Sequence, residues 1–174
     1  MAYTLCALVG SRDVLPAGAV PLASQELFLL PCFGPTWRER VGGRQPLVGA
    51  VEAGARAPEE RDEWDERNIQ GEKLLHKLLG FMSLRGPVAY VEAVFWAGSG
   101  DQASLVYQDG ELVLASVATG RDINAALAAL GVSGDSLRDE FEVVGLGENR
   151  STHRWAKEER VEPALANLFN ALVA

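Results

Sequence analysis

Large and small residues alternate over Tyr3 to Val9, which predicts a strand with Tyr3, Leu5, Ala7 and Val9 on one face. A turn over Ser11 to Ala17 and a second strand at Glu26 to Leu30, stopped by Pro31, complete an N-terminal strand pair. From Phe33 to Pro58 the period is lost, broken by Gly34, Pro35, Gly42, Gly43, Pro46, Gly49, Gly54 and Pro58. The residues before this stretch are too few to build a core of their own, so 33–58 reads as a long irregular excursion on one domain and not as a linker.

Glu59 to Met82 contains no proline and predicts a long helix, with an apolar stripe of Leu74, Leu75, Leu78, Leu79 and Met82 in its second half. Gly71 marks a place where it can split or kink, and Arg85 and Gly86 end it. Val88 to Trp96 is apolar on both faces, Tyr90, Glu92, Val94 and Trp96 pointing one way and Val91, Ala93 and Phe95 the other, as in a central strand. Ala103 to Tyr107 and Leu112 to Ala115 flank Asp109-Gly110, a dipeptide suited to the positive φ of a tight hairpin. Asp122 then caps a short helix with Ile123, Ala126, Leu127 and Leu130 on one face, stopped by Gly131. A further short strand is expected at Phe141 to Val144, and Pro163 opens a terminal helix carrying Leu165, Leu168, Phe169 and Leu172. The order predicts a single α+β domain over 1–174, with a largely antiparallel sheet, a central three-stranded meander over 88–115, and about three flanking helices.

Composition refines this picture without changing it. The chain is 48% hydrophobic and 23% charged, the balance of an ordinary globular protein and not of a disordered one. No apolar run approaches the length of a membrane helix, and Met1 to Val9 lacks the form of a signal peptide, so a soluble, cytoplasmic protein is expected. Cys6 and Cys32 both sit in apolar surroundings and are expected to be buried, reduced thiols. A net charge of −8 opposes attraction to phosphate backbones and anionic lipid, so neither nucleic acid nor membrane is an expected partner.

Candidate chemistry is sparse. Gly145-Leu146-Gly147 has neither the third glycine nor the strand-to-helix setting of a dinucleotide fingerprint, and reads as a turn. Cys6, Cys32, His76 and His153 form no local zinc spacing, and Asp62, Asp65 and Glu66 are read as a solvated helix start, so no metal and no cofactor are expected. His76 is placed with Lys73 and Lys77 on the polar face of the long helix. The polar run Asn149, Arg150, Ser151, Thr152, His153, Arg154 and Trp155 could bind an anion, although a solvated loop is the simpler reading. Glu92 interrupts an apolar strand; the simpler expectation is a half-exposed or arginine-paired acid, the sharper one a buried carboxylate marking a site.

The segment Gly86 to Ala93, with Asp139-Glu140-Phe141 and Val144-Gly145-Leu146-Gly147, is similar to uncharacterised hypothetical proteins of high-GC bacteria over roughly residues 84 to 155. The resemblance implies a bacterial origin and a shared role, and brings no activity, cofactor or catalytic residue with it.

With no catalytic motif, the expected function is non-enzymatic binding. The leading expectation is an immunity-like or antitoxin-like inhibitor that meets a basic protein partner through Glu59, Glu60, Asp62, Glu63, Asp65 and Glu66, since a clustered negative face speeds encounter with a cation-rich surface. The alternatives are a small-molecule-binding or regulatory domain, and a small hydrolase or transferase using a pocket formed by Glu92, Tyr90, Trp96, Asn149, Arg150 and His153.

Overall fold

In the computed structural model, which describes residues 2–23, 26–43, 45–97 and 99–174, six strands form one sheet. They are β1 (Ala2–Ser11), β2 (Val20–Pro21), β3 (Leu27–Pro31), β4 (Val88–Trp96), β5 (Ser99–Gln108) and β6 (Glu111–Val117), in the spatial order β2-β3-β1-β4-β5-β6. Every neighbouring pair is antiparallel. The α+β reading therefore holds, with the meander β4-β5-β6 making half of the sheet.

The central strands are apolar throughout because both faces of the sheet are covered. Cys6 and Leu8 of β1 and Val88 and Tyr90 of β4 face one apolar layer, while Leu5, Ala7, Val9, Ala89, Val91 and Ala93 face the other. On the first face lie α1 (Pro35–Arg40), α2 (Pro46–Gly54), α3 (Glu63–Ser83) and the C-terminal α6 (Glu158–Val173); on the second lie α4 (Asp122–Ala129) and the single turn α5 (Glu140–Val143). Full burial of each large aliphatic side chain contributes about 1.5–3 kcal/mol, so a sheet packed on two sides is the main source of stability.

Helix α3 begins at Glu63, after a 3-10 turn at Pro58–Glu60, and not at Glu59. Asp62 sets that boundary: its carboxylate accepts the backbone N–H of Asp65 at 2.9 Å, and the Asp65 carboxylate accepts the N–H of Asp62 at 3.3 Å. Replacing Asp62 by Ala should cost about 1 kcal/mol in urea denaturation; an unchanged midpoint would show that this start is held by packing alone. Gly71 does not break the helix. A Cβ there would lie 1.9 Å from the Val41 carbonyl oxygen, so the glycine lets the chain leaving α1 cross α3 at backbone distance.

Four other expectations are corrected. Residues 33–58 are not irregular but hold α1 and α2, whose N-termini have no local side-chain cap. Glu162 of α6 supplies one from 126 residues away, accepting the Thr36 N–H at 2.9 Å, and Glu92 of β4 supplies the other. Phe141 to Val144 is a helical turn and not a strand, because Asp139 accepts the N–H of Glu142 at 3.0 Å and closes the turn. Helix α6 starts at Glu158, where two glutamates suit the positive end of the helix, and Pro163 lies inside it. Asp122 does not cap α4: its buried carboxylate turns back to accept the N–H groups of Thr119 at 3.0 Å and Gly120 at 3.1 Å, fastening the turn after β6. The Asp109-Gly110 hairpin is as expected, with φ of 51° and 83°.

Candidate functional site

A cleft of about 700 Å³ opens between α1, the chain that follows it, α2 and the first two turns of α3. That volume is within the usual range of small-molecule sites. Phe33, Trp37, Val48 and Val94 supply apolar lining, Gly42, Gly43 and Gly49 line the side facing Trp64 and Asn68, and Arg38, Arg67 and His153 supply the cationic or titratable lining. Trp37 is held rigidly, stacked on Tyr90 at 5.9 Å between ring centroids. Trp64 is 54% exposed, an unusual cost for a tryptophan that packs no core.

Two polar atoms of this wall are left unmatched. Trp37 Nε1 and Asn68 Oδ1 are buried and have no hydrogen-bond partner among the described residues, although Trp37 is only 2% and Asn68 only 4% exposed. Each such atom costs about 1–3 kcal/mol, so a donor and an acceptor left bare in one wall call for an explanation.

Beneath the cleft runs a polar row across the sheet. Cys6 is in register with Glu92, which is in register with Ala103, and the N–H of Cys32 donates to the Cys6 carbonyl at 2.7 Å. Glu92 is fully buried and has no arginine partner among the described residues, which corrects the expectation of a half-exposed acid. Its carboxylate accepts the Leu47 N–H at 3.1 Å, the Val48 N–H at 2.8 Å and the Tyr90 hydroxyl at 2.8 Å, so it caps α2 across the layer. Burial pushes its pKa up to about 7 against the opposing pull of these three hydrogen bonds, with a smaller upward push from Glu72. Since the Tyr90 proton goes to Glu92, its oxygen accepts from the Cys6 thiol at 3.2 Å. Burial, reinforced by Cys6, holds the Cys32 thiol well above the ordinary range, so at neutral pH it is not a thiolate nucleophile.

No protein-family model, curated protein or solved structure matches this chain. The site is read from its own chemistry.

The six residues expected to form a ligand pocket are not brought together. Glu92 and Tyr90 lie closed in the core, and Trp96 is 71% exposed at the end of β4. Arg150 lines a separate hollow with Tyr3, Phe95 and Asn124, and the chain around Asn149 is fastened to β1 where the Arg150 carbonyl accepts the Thr4 N–H at 3.0 Å. His153 alone reaches the cleft, packed edge-on against Phe33 at 4.4 Å. His76 is not solvated on a polar face: it is half-buried, its Nδ1 2.6 Å from the Tyr107 hydroxyl.

The acidic run divides by role. Asp62 and Asp65 cap α3, and Asp65 also pairs with Arg56 at 2.7 Å; Glu63 and Glu66 lie near Arg67 and Arg61 at 3.5 and 3.8 Å. Glu59 and Glu60 stand exposed on the 3-10 turn. The cleft residues Trp37, Trp64 and Asn68 were not singled out from the sequence. The sequence does carry a signal: positions 64, 68, 71 and 75 recur at helical spacing, so Trp64, Asn68 and Gly71 extend the face of Leu75 toward the start of the helix.

Proposed function

We propose that this chain is a non-enzymatic small-molecule-binding protein whose ligand sits in the cleft between α1, α2 and α3. The observation that carries the reading is the pair of unmatched buried atoms, Trp37 Nε1 and Asn68 Oδ1, on residues that line a cleft of ligand size. Both atoms are covered by the wall itself, so a bound molecule offering an acceptor and a donor relieves them by displacing the side chains that cover them. Turnover draws little support from the lining, where Cys32 is held as a thiol and His153 has no oriented partner among the described residues. The inhibitor reading is weakened by the acidic run itself, since two of its six carboxylates, Asp62 and Asp65, are held in the cap of α3.

A thermal-shift screen of small organic compounds tests the proposal. A ligand at a hundred times its Kd stabilises by about 2.7 kcal/mol, which for this chain length raises Tm by about 5–10 °C. Val94→Trp, which fills the cleft from the half-buried end of β4, should abolish that shift. If every stabilising compound shifts Val94→Trp equally, the ligand binds elsewhere and the proposal is wrong. A protein partner that depends on Glu59 and Glu60, with no small molecule found, would favour the inhibitor instead.

A further inference from the structure

Resting on that reading of the cleft, we infer that its ligand is an organic anion with an apolar body. The chain carries 24 acidic against 16 basic residues, yet among the described residues no Asp or Glu lines the cleft, whereas Arg38 and Arg67 both do. Such segregation of charge in an acidic protein sets the local field against the global one. Arg38 has no ion-pair partner among the described residues, and Arg67 meets Glu63 at 3.5 Å, with Glu63 93% exposed. An exposed pair of that kind is worth little, so both guanidinium groups can turn to a ligand.

The second observation is independent of charge. Trp37 Nε1–H is a buried donor without an acceptor among the described residues, in a tryptophan stacked on Tyr90. Its missing partner is an acceptor atom, which a carboxylate, sulfonate or phosphate oxygen provides once the side chains covering the indole N–H give way. Phe33, Val48 and Val94 then present apolar surface to the remainder of the molecule, and Trp64 adds its ring at the rim. The two tryptophans alone would also suit a cationic ligand. The flanking arginines repel one, and a neutral ligand leaves both guanidinium groups unused.

Two dyes of nearly the same apolar body separate these cases: 1-anilinonaphthalene-8-sulfonate, which is anionic, and N-phenyl-1-naphthylamine, which is uncharged. Their affinities are measured by fluorescence at low salt for the native chain, for Arg38→Gln/Arg67→Gln and for Val94→Trp. The arginines are exposed, so the double variant should fold, which a matching circular dichroism spectrum checks. The expected result is a loss of about tenfold or more for the sulfonate in the double variant, with the neutral dye unchanged, and loss of both dyes in Val94→Trp. If the double variant binds the sulfonate as tightly as the native chain while Val94→Trp loses both dyes, the anion inference is overturned and the cleft remains a ligand site. If neither dye binds, or Val94→Trp binds both undiminished, the reading of the cleft itself is overturned.

Discussion

Replacing Glu92 by Ala is expected to cost about 3–5 kcal/mol at pH 5, because it strands the N–H groups of Leu47 and Val48 at the start of α2 and leaves a cavity beneath them. The wild type itself should lose stability as pH rises. Glu92 has a folded pKa of about 7, above its ordinary 4.5, so the folded state holds the proton more tightly than the unfolded one. Its contribution is complete below the unfolded pKa and is lost as pH climbs through the folded value, a decline of about 2–3 kcal/mol between pH 5 and pH 8. Glu92→Gln removes that slope. An amide keeps one acceptor for the α2 amides and can donate to Tyr90, so this variant should lie about 1–2 kcal/mol below wild type at pH 5 and draw level with it or pass it at pH 8. Urea denaturation of the three proteins at both pH values checks this. Parallel pH profiles for wild type and Glu92→Gln would mean that Glu92 is ionised throughout the range.

Gly71→Ala sets two effects of opposite sign against each other. In an isolated helix the change would stabilise by about 1 kcal/mol. Here the new methyl carbon would lie 1.9 Å from a backbone oxygen of Val41, which cannot rotate away as a side chain would. The chain between α1 and α2 must shift, and overpacking of this kind costs typically 1–3 kcal/mol and occasionally more. We expect a net loss of about 2 kcal/mol, hence a Tm lower by about 4–8 °C, together with loss of dye binding, since Gly42 and Gly43 belong to the cleft wall. A variant more stable than wild type would show that the chain between α1 and α2 moves aside at little cost.

What could be read from the sequence was what is decided locally. Strands β1, β4, β5 and β6, the Asp109-Gly110 hairpin and the Gly131 stop each follow from a short pattern whose meaning does not depend on distant residues. Helices α1 and α2 were missed because their caps are contributed by Glu162 and Glu92, from the far end of the chain and from the middle of the sheet. A proline at the first position of each, Pro35 and Pro46, is the one local sign of a helix start, and in a glycine-rich stretch the same residue reads as a break. The cleft was missed for a related reason. Its tryptophans and Asn68 come from two helices, α1 and α3, that converge only once the sheet exists, and Glu92, the most conspicuous carboxylate, is spent on holding α2, which lines the same cleft, in place.

The position of β1 between β3 and β4 has a consequence for the way the chain is made. Its two partners do not leave the ribosome together: β3 is complete at Pro31, whereas β4 ends at Trp96. At about 5–20 residues per second, roughly 4–17 s pass between completion of β1 and completion of β4. Throughout that interval the β1 edge that will meet β4 has no partner of its own, and Leu5, Ala7 and Val9 have no second layer to cover them. A nascent chain at this stage offers the flat, apolar, unpaired edge to which a neighbouring nascent chain can add.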